Sequence, residues 1–386
     1  MNCRTIALVL LAGLFPLHAR AIGERPPTDE ARWSEIFIEG EDAPNGIYDP
    51  SMEYGPDGVG WMAYSAVKAG KDSRVETRIA RSDDNGRTWR RVAKVNRASP
   101  AASTLANGEA VSGRWWHETA SLVHTPGDAG REWKLFWHRY LSRQPYRGPH
   151  DRKLEIGWIA YSHAPYPEGP WSDEVALFGA GPFPVSPFRT QFKLGEINRD
   201  LADYIILTEP GTLFYKGRLY LSLQAIRNPV LHGGKVLADT ILLASDRAGE
   251  NWSYVAKLLT PEDAAPYAGD WFTGSSLAVE NDRIFLLVAP EQLGNARTGH
   301  RGTVVFEFDD IATGHLRRGD DGAPQPVKFL PPQQAKGGQS DYDEANVNGG
   351  IVMPQFDRKH LPRPFGIYST GKFIADDRNL KNRPDP

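Results

Sequence analysis

TEPGTLFYKGRLYLSLQ, Thr208 to Gln224, sets a carboxylate, a Pro-Gly break, a short apolar run, a Lys-Gly turn and a second apolar run in direct succession. Two such runs joined by a Gly-containing turn predict a β-hairpin. Glu209 then stands at the mouth of a hairpin whose strands read as buried, an unusual place for an acid. The plan returns in YDPSMEYGPDGVGWMAYSA from Tyr48, in HETASLVHTPGDAGREWKLFWHRY from His117 and in TGSSLAVENDRIFLLVA from Thr273. Each copy is followed by a third strand that ends in a polar turn: TRIARSDDNGRTW, IGWIAYSHAPYPEGPW, ILLASDRAGENW and GTVVFEFDD.

The copies start at 49, 118, 209 and 274, with an irregular fifth near 346, and recur about every 65 to 90 residues, a spacing that suits four-stranded blades with long loops. The predicted fold class is all-β, a five-bladed β-propeller. Its fifth copy runs from NVNGGIVMPQF to FGIYSTGKFI and lacks a strand, which WSEIFIEG at Trp33–Gly40 would supply. Pairing the N- and C-terminal strands in this way closes the ring and removes exposed edges. A two-sheet sandwich is the alternative, since short strands also build one.

Composition agrees with a turn-rich β protein: 38 Gly, 30 Pro and 11 Trp, with little helical periodicity. MNCRTIALVLLAGLFPLHARA begins with an Arg near the start, continues through an apolar run and closes on Ala19-Arg20-Ala21. That order predicts a signal peptide over 1–21, cleaved near Ala21, and a secreted or periplasmic chain with one domain over 22–386. The apolar run is short for a membrane span, so no membrane insertion is expected, a retained anchor being the alternative. Cys3, the one cysteine, leaves with the leader, so the fold must hold by burial rather than by disulfides. The net charge of −3 becomes more negative on loss of Arg4 and Arg20, and no basic run speaks for nucleic acid as a partner. A monomer is expected.

SDDNGRTW, Ser82–Trp89, resembles the Asp-box turn of sialidases and related propellers, and SDRAGENW at Ser245–Trp252 is a degraded copy. The physical reading is a hairpin turn: Asp84 accepts from backbone N–H groups, Gly86 takes a positive φ, and Trp89 packs on the next strand.

In a propeller the first strand of each blade lines the central channel. Asp49, Glu118 and Glu209 start those strands in three successive blades, so radial symmetry would gather them in one funnel. Glycosidic cleavage needs that combination: an acid to protonate the leaving oxygen and a carboxylate as base or nucleophile. A third acid can orient the second and raise its pKa by like-charge repulsion.

YDPSMEY and EPGTLFYKGRLYL resemble the first and acid-bearing blades of the five-bladed arabinanase and xylosidase hydrolases, glycoside hydrolase family 43 and its relatives. IAYSHAPYPEGPW is similar to their third strands. The resemblance implies a secreted glycoside hydrolase with Asp49 as general base, Glu209 as general acid and Glu118 in the third role. There the family has Asp in an I-D-P context, where this chain has HETAS.

Trp115, Trp116 and Trp271 precede inner strands and are candidates to stack on a sugar ring, with Arg114 and His117 as polar partners. Asp341, Asp343 and Glu344 form an acidic loop near the fifth blade. No cofactor is expected, though His117 leaves open a channel metal such as calcium, which the resemblance implies for some similar propellers. Two other functions stay open on the sequence. One is a sialidase-like exo-glycosidase, which needs three arginines, with Arg81, Arg114, Arg189 and Arg301 available, and a Tyr–Glu pair. The other is a non-catalytic glycan-binding propeller.

Overall fold

The computed structural model describes residues 34–105, 107–179, 190–292, 299–332, 337–346 and 349–374; the leader predicted at 1–21 lies outside them. These residues form five mainly antiparallel sheets arranged as a five-bladed propeller. From the axis outward, blade one runs Ile47–Tyr54, Gly60–Lys68, Arg74–Ser82 and Trp89–Lys94. Blade three repeats this with Tyr204–Tyr215, Arg218–Arg227, Ala238–Ser245 and Trp252–Leu259. Blade two is built on Ala110–His124, Trp133–Arg143 and Arg152–Ala164, and blade four on Trp271–Glu280, Arg283–Gln292 and Thr303–Asp310.

Blade five has Val352–Phe356 and Phe365–Ser369, and its third strand comes from the N-terminus: Ser34 pairs with Ser369 and Glu35 with Tyr368. The chain then crosses to blade one, where Ile38–Glu39 lies parallel to Trp89–Lys94. The N-terminal segment therefore ties the last blade to the first.

Apolar residues at alternate strand positions pack into the seams between blades. Trp61 and Ile79 of blade one meet Trp115, Trp137 and Trp158 of blade two. Phe136 and Ile159 meet Leu221 and Leu223 in the next seam, and Leu242 meets Phe272 and Leu286 in the one after. Phe285 and Leu287 meet Ile351 and Met353, and Met62 and Tyr64 meet Val352 and Ile367.

Towards the axis the inner strands come too close for large side chains, and hydroxyls join them. A Cβ on Gly211 would lie 2.4 Å from the Ser275 carbonyl oxygen, so only glycine admits this approach of blades three and four. Leu122 N donates to Ser51 Oγ at 3.0 Å, Thr212 N to Ser121 Oγ at 2.9 Å, and Ser222 Oγ to Ser275 Oγ at 2.9 Å.

The turns behave as the sequence suggests. Thr88 N donates to Asp84 Oδ1 at 2.9 Å, Gly86 has φ 86°, and Trp89 is buried. In the second copy Asp246 takes the acceptor role, from Glu250 N at 3.0 Å.

The acidic loop is structural. Asp341 Oδ2 accepts from Met52 N at 2.6 Å and its Oδ1 from the Ser276 hydroxyl, while Asp343 accepts from Tyr54 N at 3.2 Å. Asp341 is buried and Asp343 half-buried, both docked against the first inner strand farther along it than Asp49. Burial, opposed by these hydrogen bonds, pushes Asp341 up to about 7 and Asp343 up to about 6. A carboxyl whose folded pKa exceeds its unfolded value stabilises the fold most below the unfolded value, and loses that stabilisation as pH rises through the folded one. The denaturant midpoint is therefore expected to fall between about pH 4 and pH 7, starting from the ordinary carboxylate range. Asp341→Asn should flatten that slope; an unchanged slope in urea titrations would refute the assignment.

Candidate active site at the mouth of the central channel

A bulge in each of four inner strands creates the site. The register slips between Tyr48 and Ser51, Glu118 and Ser121, Thr208 and Gly211, and Thr273 and Ser276. At each slip one residue takes a left-handed backbone: Asp49 at φ 51°, Thr119 at 50°, Glu209 at 55° and Gly274 at 59°. Pro50 and Pro210 follow two of them, and a bulge is where a proline without N–H can enter an interior strand. Left-handed geometry costs a non-glycine residue about 1–2 kcal/mol. Glycine meets it without strain in blade four, so the side chains at 49 and 209 are kept against a local penalty, the pattern of strained functional positions.

This alignment corrects one expectation. The equivalent of Asp49 and Glu209 in blade two is Thr119, and Glu118 stands one residue earlier, level with Tyr48, Thr208 and Thr273. The sequence could not show where the extra residue falls.

Asp49, Glu118 and Glu209 nevertheless line one cavity of about 610 Å³ at the channel mouth. Trp116 and Trp271 line it too. Trp115, His117 and Arg114 do not. Successive strand residues face opposite sides, so Trp116 and Glu118 turn to the cavity while Trp115 and His117 turn away. Trp115 packs 5.0 Å from Trp158 with the Arg139 guanidinium over it, and His117 Nδ1 accepts from Trp137 Nε1 at 3.0 Å. Burial holds His117 neutral, with its pKa lowered to about 3. Arg114 pairs with Asp72 at 2.8 Å. Among the described residues no three His, Cys, Asp or Glu side chains are grouped so as to hold a metal ion.

Each carboxylate has its own setting. Asp49 is 3 % exposed and accepts from Gln339 N at 3.3 Å. Burial, and then the charge of Glu209, push its pKa well up. Glu209 Oε2 accepts from the Thr273 hydroxyl and from Gly274 N, and its pKa is raised by burial and by Glu291. Glu118 accepts from the Tyr140 hydroxyl.

The sequence reading missed several lining residues. Glu291 accepts from Trp271 Nε1 at 3.0 Å. Arg152, from the strand after the Pro149–Asp151 turn, donates from Nε to Tyr146 at 3.3 Å and acts electrostatically on Asp49 and Glu291. His138 sits beside it, neutral, its pKa lowered by burial and by Arg152 to about 3. Thr119 also lines the wall, its hydroxyl without a hydrogen-bond partner among the described residues. A second hollow, of about 660 Å³, lies by the outer turn of blade one among Arg81, Asp83 and Arg87, away from the cavity that the carboxylates share.

No protein-family model matches the sequence, and no curated protein matches it either. The three-dimensional arrangement is similar to a thermostable family-43 glycoside hydrolase at 9% identity, over 91% of this chain and 98% of that one, with a TM-score of 0.52. The fold is common to both. An alpha-L-arabinofuranosidase from Lactobacillus brevis is similar at 14% identity, over 89% of this chain and 96% of that one, with a TM-score of 0.48. A family 117 glycoside hydrolase from the marine bacterium Zobellia galactanivorans is similar at 16% identity, over 92% of this chain and 93% of that one, with a TM-score of 0.47. The five-bladed propeller of this chain is what was expected from the hairpin repeat.

Proposed function

We propose that this chain is a glycoside hydrolase acting on an oligosaccharide or polysaccharide, with Glu209 as general acid and Asp49 as its partner carboxylate. One observation carries the reading: two carboxylates, Asp49 buried and Glu209 half-buried, on equivalent strained residues of blades one and three, open onto a single cavity. Its volume is in the range of small-molecule sites. Like charges close together do not both ionise readily, so the pair favours holding one proton. The donors on Glu209 converge on Oε2, which leaves Oε1 to carry that proton.

Glu209 then gives its proton to the glycosidic oxygen as the bond from that oxygen to the anomeric carbon breaks. Asp49 works on the other side, as base to an incoming water or as nucleophile. Arg152 and the backbone N–H of Gln339 both favour the ionised form of Asp49, which suits that half of the work. Trp116 and Trp271 supply apolar edges for a sugar ring. The leader at 1–21 would place this activity outside the cytoplasm.

A sialidase-like reading has one observation in its favour, since Arg147, Arg152 and Arg358 line the same cavity. Of the arginines first considered, Arg81 pairs with Asp83 and Arg114 with Asp72, and Arg189 lies outside the described residues. Against that reading, the tyrosine paired with Glu118 is Tyr140, fully buried, and burial pushes its phenol well up, away from nucleophilic use.

The test is a sugar-release screen over neutral aryl glycosides, sialyl and uronyl glycosides, and plant and bacterial polysaccharides. Release of a neutral sugar that disappears in Glu209→Gln is expected. Release of sialic acid alone would move the assignment to the second reading, and carbohydrate binding in calorimetry without any release would make the propeller a binding module.

A further inference from the structure

We propose that Glu291, rather than Glu118, is the carboxylate that acts on Glu209, keeping its proton in place for donation to the substrate. The inference rests on the reading of Glu209 as the acid.

The geometry is that of one strand holding two acids. In the inner strand of blade four, Trp271 Nε1 donates to Glu291 Oε2 at 3.0 Å. Two residues on, Thr273 Oγ1 and then Gly274 N donate to Glu209 Oε2. Residues two apart share a strand face and lie about 7 Å apart along it, so the two carboxyls are anchored side by side. Glu291 reaches this place because it stands directly opposite Trp271 in the register of the blade's first hairpin. Both acids line the cavity. Glu118 is engaged elsewhere, by the Tyr140 hydroxyl and by the charge of Arg152.

The charged and titratable groups facing Glu209 come from three elements. Glu291 is in the adjoining strand of blade four, His300 in Gly299–His300, and Asp49 in the inner strand of blade one. Glu291 raises the Glu209 pKa and His300 lowers it with the smaller effect, while Asp49 and Glu209 repel each other as like charges. Glu291 is itself raised by burial, with Arg152 lowering it and Asp270 adding to the rise. Glu291 is thus a positioning residue, acting on substrate through Glu209.

The test is Glu291→Gln, which keeps an oxygen for Trp271 Nε1 and removes only the charge. Carboxyl titration by carbon-13 NMR on glutamate-labelled protein reads Glu209 directly, its resonance assigned by absence in Glu209→Gln. The Glu209 midpoint is expected to move to lower pH in Glu291→Gln and to stay in place in Glu118→Gln. The alkaline limb of the kcat/KM profile should move the same way, whereas a merely structural role would lower rates at every pH without displacing the limb. An unmoved Glu209 midpoint in Glu291→Gln overturns the proposal, even if Glu209→Gln is inactive and the hydrolase reading stands. A moved midpoint together with an active Glu209→Gln upholds the coupling and removes the hydrolytic role instead.

Discussion

Asp49→Gly is expected to lose about 10²–10⁴-fold in turnover, the usual contribution of a positioned acid–base group, while melting no lower than the parent protein. The two outcomes follow from one backbone feature. Asp49 holds φ 51° in an inner-strand bulge where blade four uses Gly274 at φ 59°. Removing the side chain relieves about 1–2 kcal/mol of left-handed strain. It also removes a buried carboxyl whose hydrogen bond from Gln339 N is long at 3.3 Å. Gln339 lines the cavity, where water can replace that acceptor.

Glu209→Gly is a less clean experiment, because it strips the acceptor from both Thr273 Oγ1 and Gly274 N. Those losses offset the relief of strain, since a buried donor left unpaired costs about 1–3 kcal/mol. Thermal melting with a kinetic assay of Asp49→Gly decides the matter. A variant that melts several degrees lower would show that the left-handed position is not strained. A variant that keeps its turnover would remove Asp49 from the chemistry.

How far the sequence reached can be traced residue by residue. The hairpins were legible because strand period and Gly-containing turns are local, and the N-terminal strand was legible because the fifth copy lacked one. Ser34–Glu35 does fill that gap, although Ile38–Glu39 then turns to the edge of blade one, which no local pattern announces. Asp49 and Glu209 were found because each opens a copy of the repeated hairpin and stands in a stretch that resembles the family's motifs.

The rest was hidden for physical reasons. Glu118 was placed level with them because a bulge adds one residue without leaving a trace in hydropathy, and Trp115 and His117 were included because the alternation of a strand was not applied before its inner end. Glu291 and Arg152 went unseen because they belong to second and third strands, and the search followed first strands. Pairing the hairpin outward from the NDR turn would set Gln292 opposite Trp271, and the bulge at Gly274 shifts the partner by one to Glu291, so that register too was hidden.

Ring closure also has a polar lock, and Glu41→Ala should break it at a cost of about 3–5 kcal/mol, the range for leaving a buried charge uncompensated. Glu41 lies two residues beyond Ile38–Glu39, the strand that carries the N-terminal segment from blade five onto blade one. Its carboxylate is buried and accepts from the Arg78 guanidinium, from the Tyr64 hydroxyl at 2.6 Å and from Ala43 N at 2.6 Å. Arg78 is itself 4 % exposed, in the third strand of blade one. Without Glu41 it keeps Asp42 at 2.7 Å, an exposed partner, and Glu76 at 3.9 Å, so the loss should fall in the lower part of that range. Tyr64 and Ala43 lose acceptors in the same step. Because the closing strand pairs over very few residues, this lock supplies much of what holds the N-terminal segment in place. The double variant Glu41→Leu with Arg78→Met is expected to regain most of the stability, as apolar replacement of a whole buried pair often does. Urea unfolding of the three proteins checks this: a single variant as stable as the parent would mean that the ring is closed by strand pairing and seam packing alone.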